Sequence, residues 1–276
     1  MVAGSPDSPL DPAPESSAPR AGQLTVAGLR ARVHPPRFAA IWGATALLFA
    51  VSPLLASGSV SHGALLSMLP FAAILAIAGI GQTLVIQQRG LDLSVPGMIT
   101  LSTIIVTTVP HGDSARLPLA IGLVALACIA SGAVSGLAIS WLGVTPLVAT
   151  LGVNALLTGV VFQITNGAST SSATPGLARF ALAKSGGIPN TVLIAVATVV
   201  ASALVFRVSV FGRRFVAVGT SPAAARASGI RVKAYEFATY VLASLTYGAA
   251  AILVAGYLGT PGIGAGNDYL LPTIAA

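Results

Sequence analysis

Three groups of polar residues stand out in a chain that is otherwise apolar. Asp92 and Ser94 close the run Gln87–Gln88–Arg89–Gly90–Leu91–Asp92–Leu93–Ser94, which separates two hydrophobic stretches. A carboxylate in such surroundings is expensive and marks a functional site by default. The same two residues suit the cap of a following helix with Pro96 in its first turn, and the two roles are compatible. Asn154 and Gln163 are amides in the apolar run 146–164. An amide can donate to and accept from the hydroxyls of a passing solute, or join two helices by a bond worth about 1 kcal/mol. The third group is FGRRFVAVGTSPAAARASGIRVK, Phe211 to Lys233, with five cations and no acid.

Inside that third group lies a short helix with both ends marked. Ser221 can cap it, Pro222 suits the first helical position, Ala223–Ala225 favour the helix, and Gly229 suits a left-handed stop. Seven residues at ~1.5 Å each give a rod of roughly 10 Å, too short to cross a bilayer.

Catalytic chemistry finds no footing. His34, His62 and His111 fall in three separate regions, without cysteine or carboxylate spacing for a metal. No HExxH or GxSxG occurs, and neither lysine follows a glycine, so there is no phosphate-cradling loop for ATP. The expectation is a non-enzyme without cofactor, in which any ATP is bound by another chain. The single cysteine, Cys128, excludes an intrachain disulfide framework and reads as structural filler.

The elements that position these residues are membrane spans. The chain has 276 residues, 55% hydrophobic and 8% charged, with mean hydropathy +0.89; soluble domains carry about 25% charged residues. Spans are read at 38–55, 64–86, 95–109, 117–142, 146–164, 189–206 and 235–258, with an eighth beginning near Tyr269, and define an all-α, polytopic membrane helix bundle. Residues 1–36, rich in Pro, Ser and Ala, read as a disordered cytoplasmic tail. With that tail inside, eleven of the fourteen cations fall on the cytoplasmic side, leaving Arg116, Arg179 and Lys184 outside. The net charge of +7 therefore reports topology rather than nucleic-acid binding.

The third span is too short: fifteen residues reach about 23 Å against a core of about 30 Å. The polar run before it is expected to dip into the membrane as broken helix, which needs cover from protein or a water-filled cavity. No second matching break is evident. In the fourth span Gly132 and Gly136, flanked by Ser131 and Ser135, form a small-xxx-small face that suggests close helix packing. The polar loop 166–187 is the longest on the outside.

Two of these segments carry a resemblance. GQTLVIQQRGLDLSVPGMITLS is similar to the signature of sugar-type ABC importer permeases, the ribose-transporter family, in which Gly-Ile-Asp-Leu-Ser-Val-Gly follows a Gly-x-Thr-Leu-Val-Ile helix. Leu91 and Pro96 depart from that pattern. GRRFVAVGTSPAAARASGI resembles the same family's cytoplasmic coupling segment: a Gly-Arg start, an Ala-x-Gly turn, a short Ala-rich helix and Ser-Gly-Ile before a span. The 146–164 span, with Ala-Thr-Leu and a Thr-Asn-Gly exit, also resembles it. The resemblance runs from Ala64 to the C-terminus. It implies a permease domain over 37–276 with a coupling segment at 207–234, where Gly219, Ser221, Ala224, Arg226, Ser228 and Gly229 meet an ATPase. Asp92, Ser94, Asn154 and Gln163 become candidates for the substrate path.

The implied function is import of a pentose, hexose or related polyol across the bacterial inner membrane. The implied partners are an ABC ATP-binding subunit, a second permease as homo- or heterodimer, and a periplasmic or lipid-anchored solute-binding protein. Family members continue beyond the ending PTIAA, so a C-terminal part is expected to be missing. An ion-coupled secondary transporter or channel is the alternative; that class shows paired broken helices and several intramembrane ionisable residues.

Overall fold

The computed structural model describes residues 39–168 and 171–275. The tail 1–36 lies outside the described residues. The chain divides into two compact units, 1–57 and 58–276. In the first, α1 (Ala39–Leu55) is a short apolar helix with Pro53 in its last turn and almost all its side chains exposed.

The second unit holds α2 (His62–Gln87), α3 (Val95–Thr108), α4 (Leu117–Ser140), α5 (Pro146–Thr165), α6 (Pro175–Leu182), α7 (Asn190–Val208), α8 (Val210–Thr220), α9 (Pro222–Ala227), α10 (Val232–Leu258) and α11 (Leu270–Ala275). Prolines sit in the first turn of α3, α4, α5, α6 and α9, where a missing N–H breaks no helical bond. The seven expected spans fall on α1, α2, α3, α4, α5, α7 and α10, and the expected start near Tyr269 falls on α11. Five of these helices, α2, α4, α5, α7 and α10, are long and apolar enough to cross a membrane.

The shortest interior helix is the core. Twelve of the fourteen residues of α3 are buried, including Thr100, Ser102, Thr103 and Thr107. The Thr103 and Thr107 hydroxyls return to their own helix, donating to the carbonyls of Thr100 at 2.7 Å and Thr103 at 2.9 Å. Around α3 pack α4, α5 and α10, and α10 also covers α2.

The α4–α10 seam is set by small residues, as the 132/136 spacing suggests. A Cβ built on Gly132 would lie 2.6 Å from the Val241 Cα, and one on Gly136 would lie 3.0 Å from the Phe237 carbonyl. Glycine is required there because the partner is backbone, which cannot swing aside. One turn further, α10 returns the favour: Gly248 faces the Cys128 sulfur and Val124 of α4. Cys128 is a buried free thiol, filling the gap that Gly248 leaves.

From residue 171 on, the loop 166–187 holds more regular structure than its turn-rich sequence suggests. It contains α6, whose Leu177 and Ala181 are buried against Gly256 of α10. Thr174 caps α6 by accepting from the Leu177 amide at 3.3 Å. A two-residue antiparallel ribbon follows, pairing Lys184 with Pro189 and Ser185 with Ile188.

Gly132→Leu forces a side chain into the α10 backbone, and overpacking of this kind costs about 1–3 kcal/mol. Gly122→Leu, on the same helix with nothing within 4 Å, does not. Thermal unfolding of the detergent-purified chain is expected to show a lowered midpoint for Gly132→Leu and an unchanged one for Gly122→Leu.

Candidate functional site

The polar run after α2 begins with an unusual stop. The Arg89 amide donates to the Ile86 carbonyl at 2.9 Å and the Gly90 amide to the Val85 carbonyl at 3.0 Å. These are the two bonds of a Schellman motif, with Arg89 in its left-handed position at φ 65°. Glycine is the usual occupant; an L-residue there costs roughly 1–2 kcal/mol. Gly90 is needed next for a different reason, since a Cβ on it would meet the Tyr240 hydroxyl of α10 at 2.6 Å.

Residues 91–94 have no regular structure, and side chains of α5 reach the backbone there and in the first turn of α3. The Leu93 amide donates to the Thr150 hydroxyl at 3.0 Å, and the Gly97 amide, in the first turn of α3, donates to Asn154 Oδ1 at 2.8 Å. Thr150 and Asn154 lie one turn apart on α5, so a single helix face serves both amides. Asp92 Oδ1 accepts from the Ser94 amide at 2.8 Å and from the Ser94 hydroxyl at 2.6 Å. Ser94 stands at the cap position of α3 yet makes no capping bond. The cap comes across the bundle from Asn154, and the Asp92–Ser94 pair closes a local turn instead.

Asp92 is 1% exposed. Its second oxygen, Oδ2, has no hydrogen-bond partner among the described residues, and Tyr247 of α10 approaches the carboxyl group. Tyr247 donates its hydroxyl to Gln82 Oε1 at 3.1 Å, and the Gln82 amide nitrogen is likewise unpartnered. A buried acceptor and a buried donor thus stand open beside one tyrosine.

A second irregular segment, which the sequence reading missed, packs onto α3 just beyond the first. After α10 the chain runs Gly259–Thr260–Pro261–Gly262–Ile263–Gly264–Ala265–Gly266 and folds back onto the start of α3. The Gly266 amide donates to the Thr100 hydroxyl at 3.0 Å, and a Cβ at Gly266 would collide with the Pro96 carbonyl. Four glycines and a proline in eight residues were the available signal. Of the four path candidates, Asp92, Ser94 and Asn154 come together at this junction. Gln163 lies exposed near the end of α5, apart from them.

The charged segment is two helices. Ser209 caps α8 through the Gly212 amide at 2.9 Å, and Ser221 caps α9 through the Ala224 amide at 3.3 Å. Gly229, at φ 76°, ends α9 in a second Schellman motif, with Gly229 N–H to Arg226 O and Ile230 N–H to Ala225 O, both at 3.0 Å. The Ala-x-Gly turn implied by the resemblance is absent: α8 runs through Gly219 to Thr220. Gly219 is buried because its Cβ would strike the Gln87 carbonyl at the end of α2. Ala225 is buried with Val218 and Val232, whereas Ala224, Arg226 and Ser228 are exposed.

Two side chains tie these helices to the polar run. Gln88 Nε2 donates to the Phe215 carbonyl at 2.9 Å, Arg89 Nε to the Gly219 carbonyl at 3.0 Å, and Arg89 Nη2 to the Thr220 carbonyl. The last carbonyls of α8 have no partners inside their own helix, and a cation there also meets the negative end of the helix dipole.

A bundle of apolar helices, two irregular polar segments meeting at a buried short helix, and a cationic helical pair tied to one of them define a multi-pass membrane permease. The chain belongs to the family described as branched-chain amino acid transport system / permease component, which matches residues 64–276. A probable ABC transporter permease protein of Sinorhizobium fredii is 31% identical over 245 residues, covering 86% of this chain and 71% of the relative. The ribose import permease protein of Escherichia coli is 29% identical over 234 residues, covering 83% and 73%. The fructose import permease protein of Bifidobacterium longum is 34% identical over 186 residues, covering 65% and 51%. No solved structure matches.

Asn154→Ala removes the acceptor of the Gly97 amide, and loss of a helix cap costs about 0.5–2 kcal/mol. Its melting midpoint is expected to fall, while Gln163→Ala, exposed and apart from the junction, leaves it unchanged; differential scanning fluorimetry reads both.

Proposed function

We propose that this chain is the membrane permease subunit of an ABC importer for a monosaccharide or related polyol. One observation carries the ATP-driven part of the reading. The α8–α9 pair presents Ala223, Ala224, Arg226 and Ser228 outward, on a chain with no phosphate-binding loop of its own. A docking face for an ATP-binding subunit is what such a segment supplies. The substrate class rests on the relatives, which are import permeases for ribose and fructose. The hydroxyl- and amide-lined junction at Asp92, Ser94, Thr100 and Asn154 suits a solute that both donates and accepts hydrogen bonds.

The chain would cross the bacterial inner membrane seven or eight times, with its N-terminus and α8–α9 in the cytoplasm. It would pair with a second permease and receive solute from a binding protein at the outer face. ATP closure of the ATPase dimer would move α9 and alternate the path between the two sides. Paired breaks near mid-helix also occur in secondary transporters, so the energy source is the property to test.

Proteoliposomes carrying the chain and its ATPase subunit are expected to take up labelled monosaccharide only with ATP; uptake driven by an ion gradient without the ATPase would establish the alternative. Ala224→Glu is expected to insert and melt normally, since an exposed helix position costs a few tenths of a kcal/mol. It should nonetheless lose co-purification of the ATPase, as read by pull-down, and with it uptake. Orientation is read by cysteine labelling: Ser114→Cys reacts from outside in intact cells, and Ser221→Cys only after permeabilisation.

A further inference from the structure

The bonds between the polar run and the α8–α9 pair have a consequence for how movement is passed inward. Arg89 holds two successive carbonyls, of Gly219 and Thr220, with the fork of one guanidinium. Gln88 holds a third, of Phe215, and Gly219 lies flush against the Gln87 carbonyl. The end of α8 is therefore fastened to the end of α2 at four points. From Arg89 the chain needs only three residues to reach the buried Asp92. Gly90 on the way is wedged against Tyr240 and Val85, and Leu93 beyond is tied to Thr150.

The backbone of Arg89 accepts strain for the sake of this fastening. Its φ of 65° is the position in the α2 stop where glycine is favoured. A glycine there would end α2 with less strain, and Arg89 is exposed, so water would serve the freed carbonyls. Arginine serves neither α2 nor the burial of α8. It serves the connection.

We infer that Arg89 is a positioning residue that couples displacement of the α8–α9 pair to the Asp92–Ser94 turn, transmitting the ATPase stroke to the substrate path. The inference rests on the ATPase-docking reading of α9, but the link itself is a property of this chain alone. Arg89→Gly separates it from an ordinary structural role, because that variant relieves the backbone and removes only the guanidinium. Arg89→Lys keeps a cation but not the fork.

The experiment places spin labels at Leu91→Cys and at Val216→Cys on α8, both exposed sites outside the proposed docking face, and measures their distance distribution in proteoliposomes, alongside uptake per ATP hydrolysed. The expected result for Arg89→Gly is an unchanged or raised melting midpoint, undiminished ATPase co-purification, a broadened label distance, and uptake per ATP clearly below wild type. Arg89→Lys should fall between wild type and Arg89→Gly. An unchanged label distance in Arg89→Gly overturns the inference, as does a fall in melting midpoint with uptake and hydrolysis declining together. If wild type proves independent of any ATPase, the importer reading fails, while the label distances still decide whether Arg89 makes the link.

Discussion

Everything in this bundle answers to one constraint: a peptide group in apolar surroundings must find a partner inside the protein. Regular helices meet it automatically, and the residues from Gly90 to Gly97 do not. The amides of Leu93 and Gly97 are served by Thr150 and Asn154, one turn apart on α5, and that of Ser94 by the Asp92 carboxyl group beside it. The start of α3 is therefore where it is because α5 offers acceptors at that height. The glycine-rich return after α10 obeys the same rule, spending its Gly266 amide on the Thr100 hydroxyl. The two departures from helix are stable because they share α3 as their scaffold.

The small residues complete that scaffold. Gly132 and Gly136 bring α4 onto the α10 backbone, Gly81 accommodates the ring of Tyr247, and Gly219 admits the end of α2. In each case the space of the absent Cβ is taken by backbone or a ring of another segment rather than left empty. Lipid offers apolar side chains no gain in pairing with each other, so close backbone approach is the main source of specificity between such helices. α7 shows the contrary pattern, with Thr191 and Ala195 alone buried among its nineteen residues. It contributes apolar surface to the membrane and little to the core.

The apolar helices were legible because a bilayer imposes length and composition that hydropathy reports directly; five of the seven expected spans are long and apolar enough to cross. The shortness of α3 and the irregular polar run before it were legible for the same reason, by falling short of a full crossing. What remained hidden depends on partners distant in sequence. Asn154 looked like a lining residue or a helix-to-helix bond; that it caps α3 requires knowing which amide it faces. Gly219 belonged to the turn that the resemblance implied, whereas it lies within α8 as a contact point for α2. The run from Gly259 to Gly266 was rich in turn residues, but nothing local says that the chain folds back rather than away. Arg89 was counted as a topological charge, because a guanidinium's targets and a left-handed backbone are invisible to spacing.

Cys128 carries a practical consequence. The lone thiol is 1% exposed, pressed between α4 and α10 with Gly248 across from it. A water-borne alkylating reagent has no route to it while that seam is closed, so the native chain is already a silent background for introduced cysteines. The same enclosure makes it a witness. Any slow modification of Cys128 records the moments when α4 and α10 part, and its rate under different solution conditions is a clock for the breathing of the seam on which the buried helix leans.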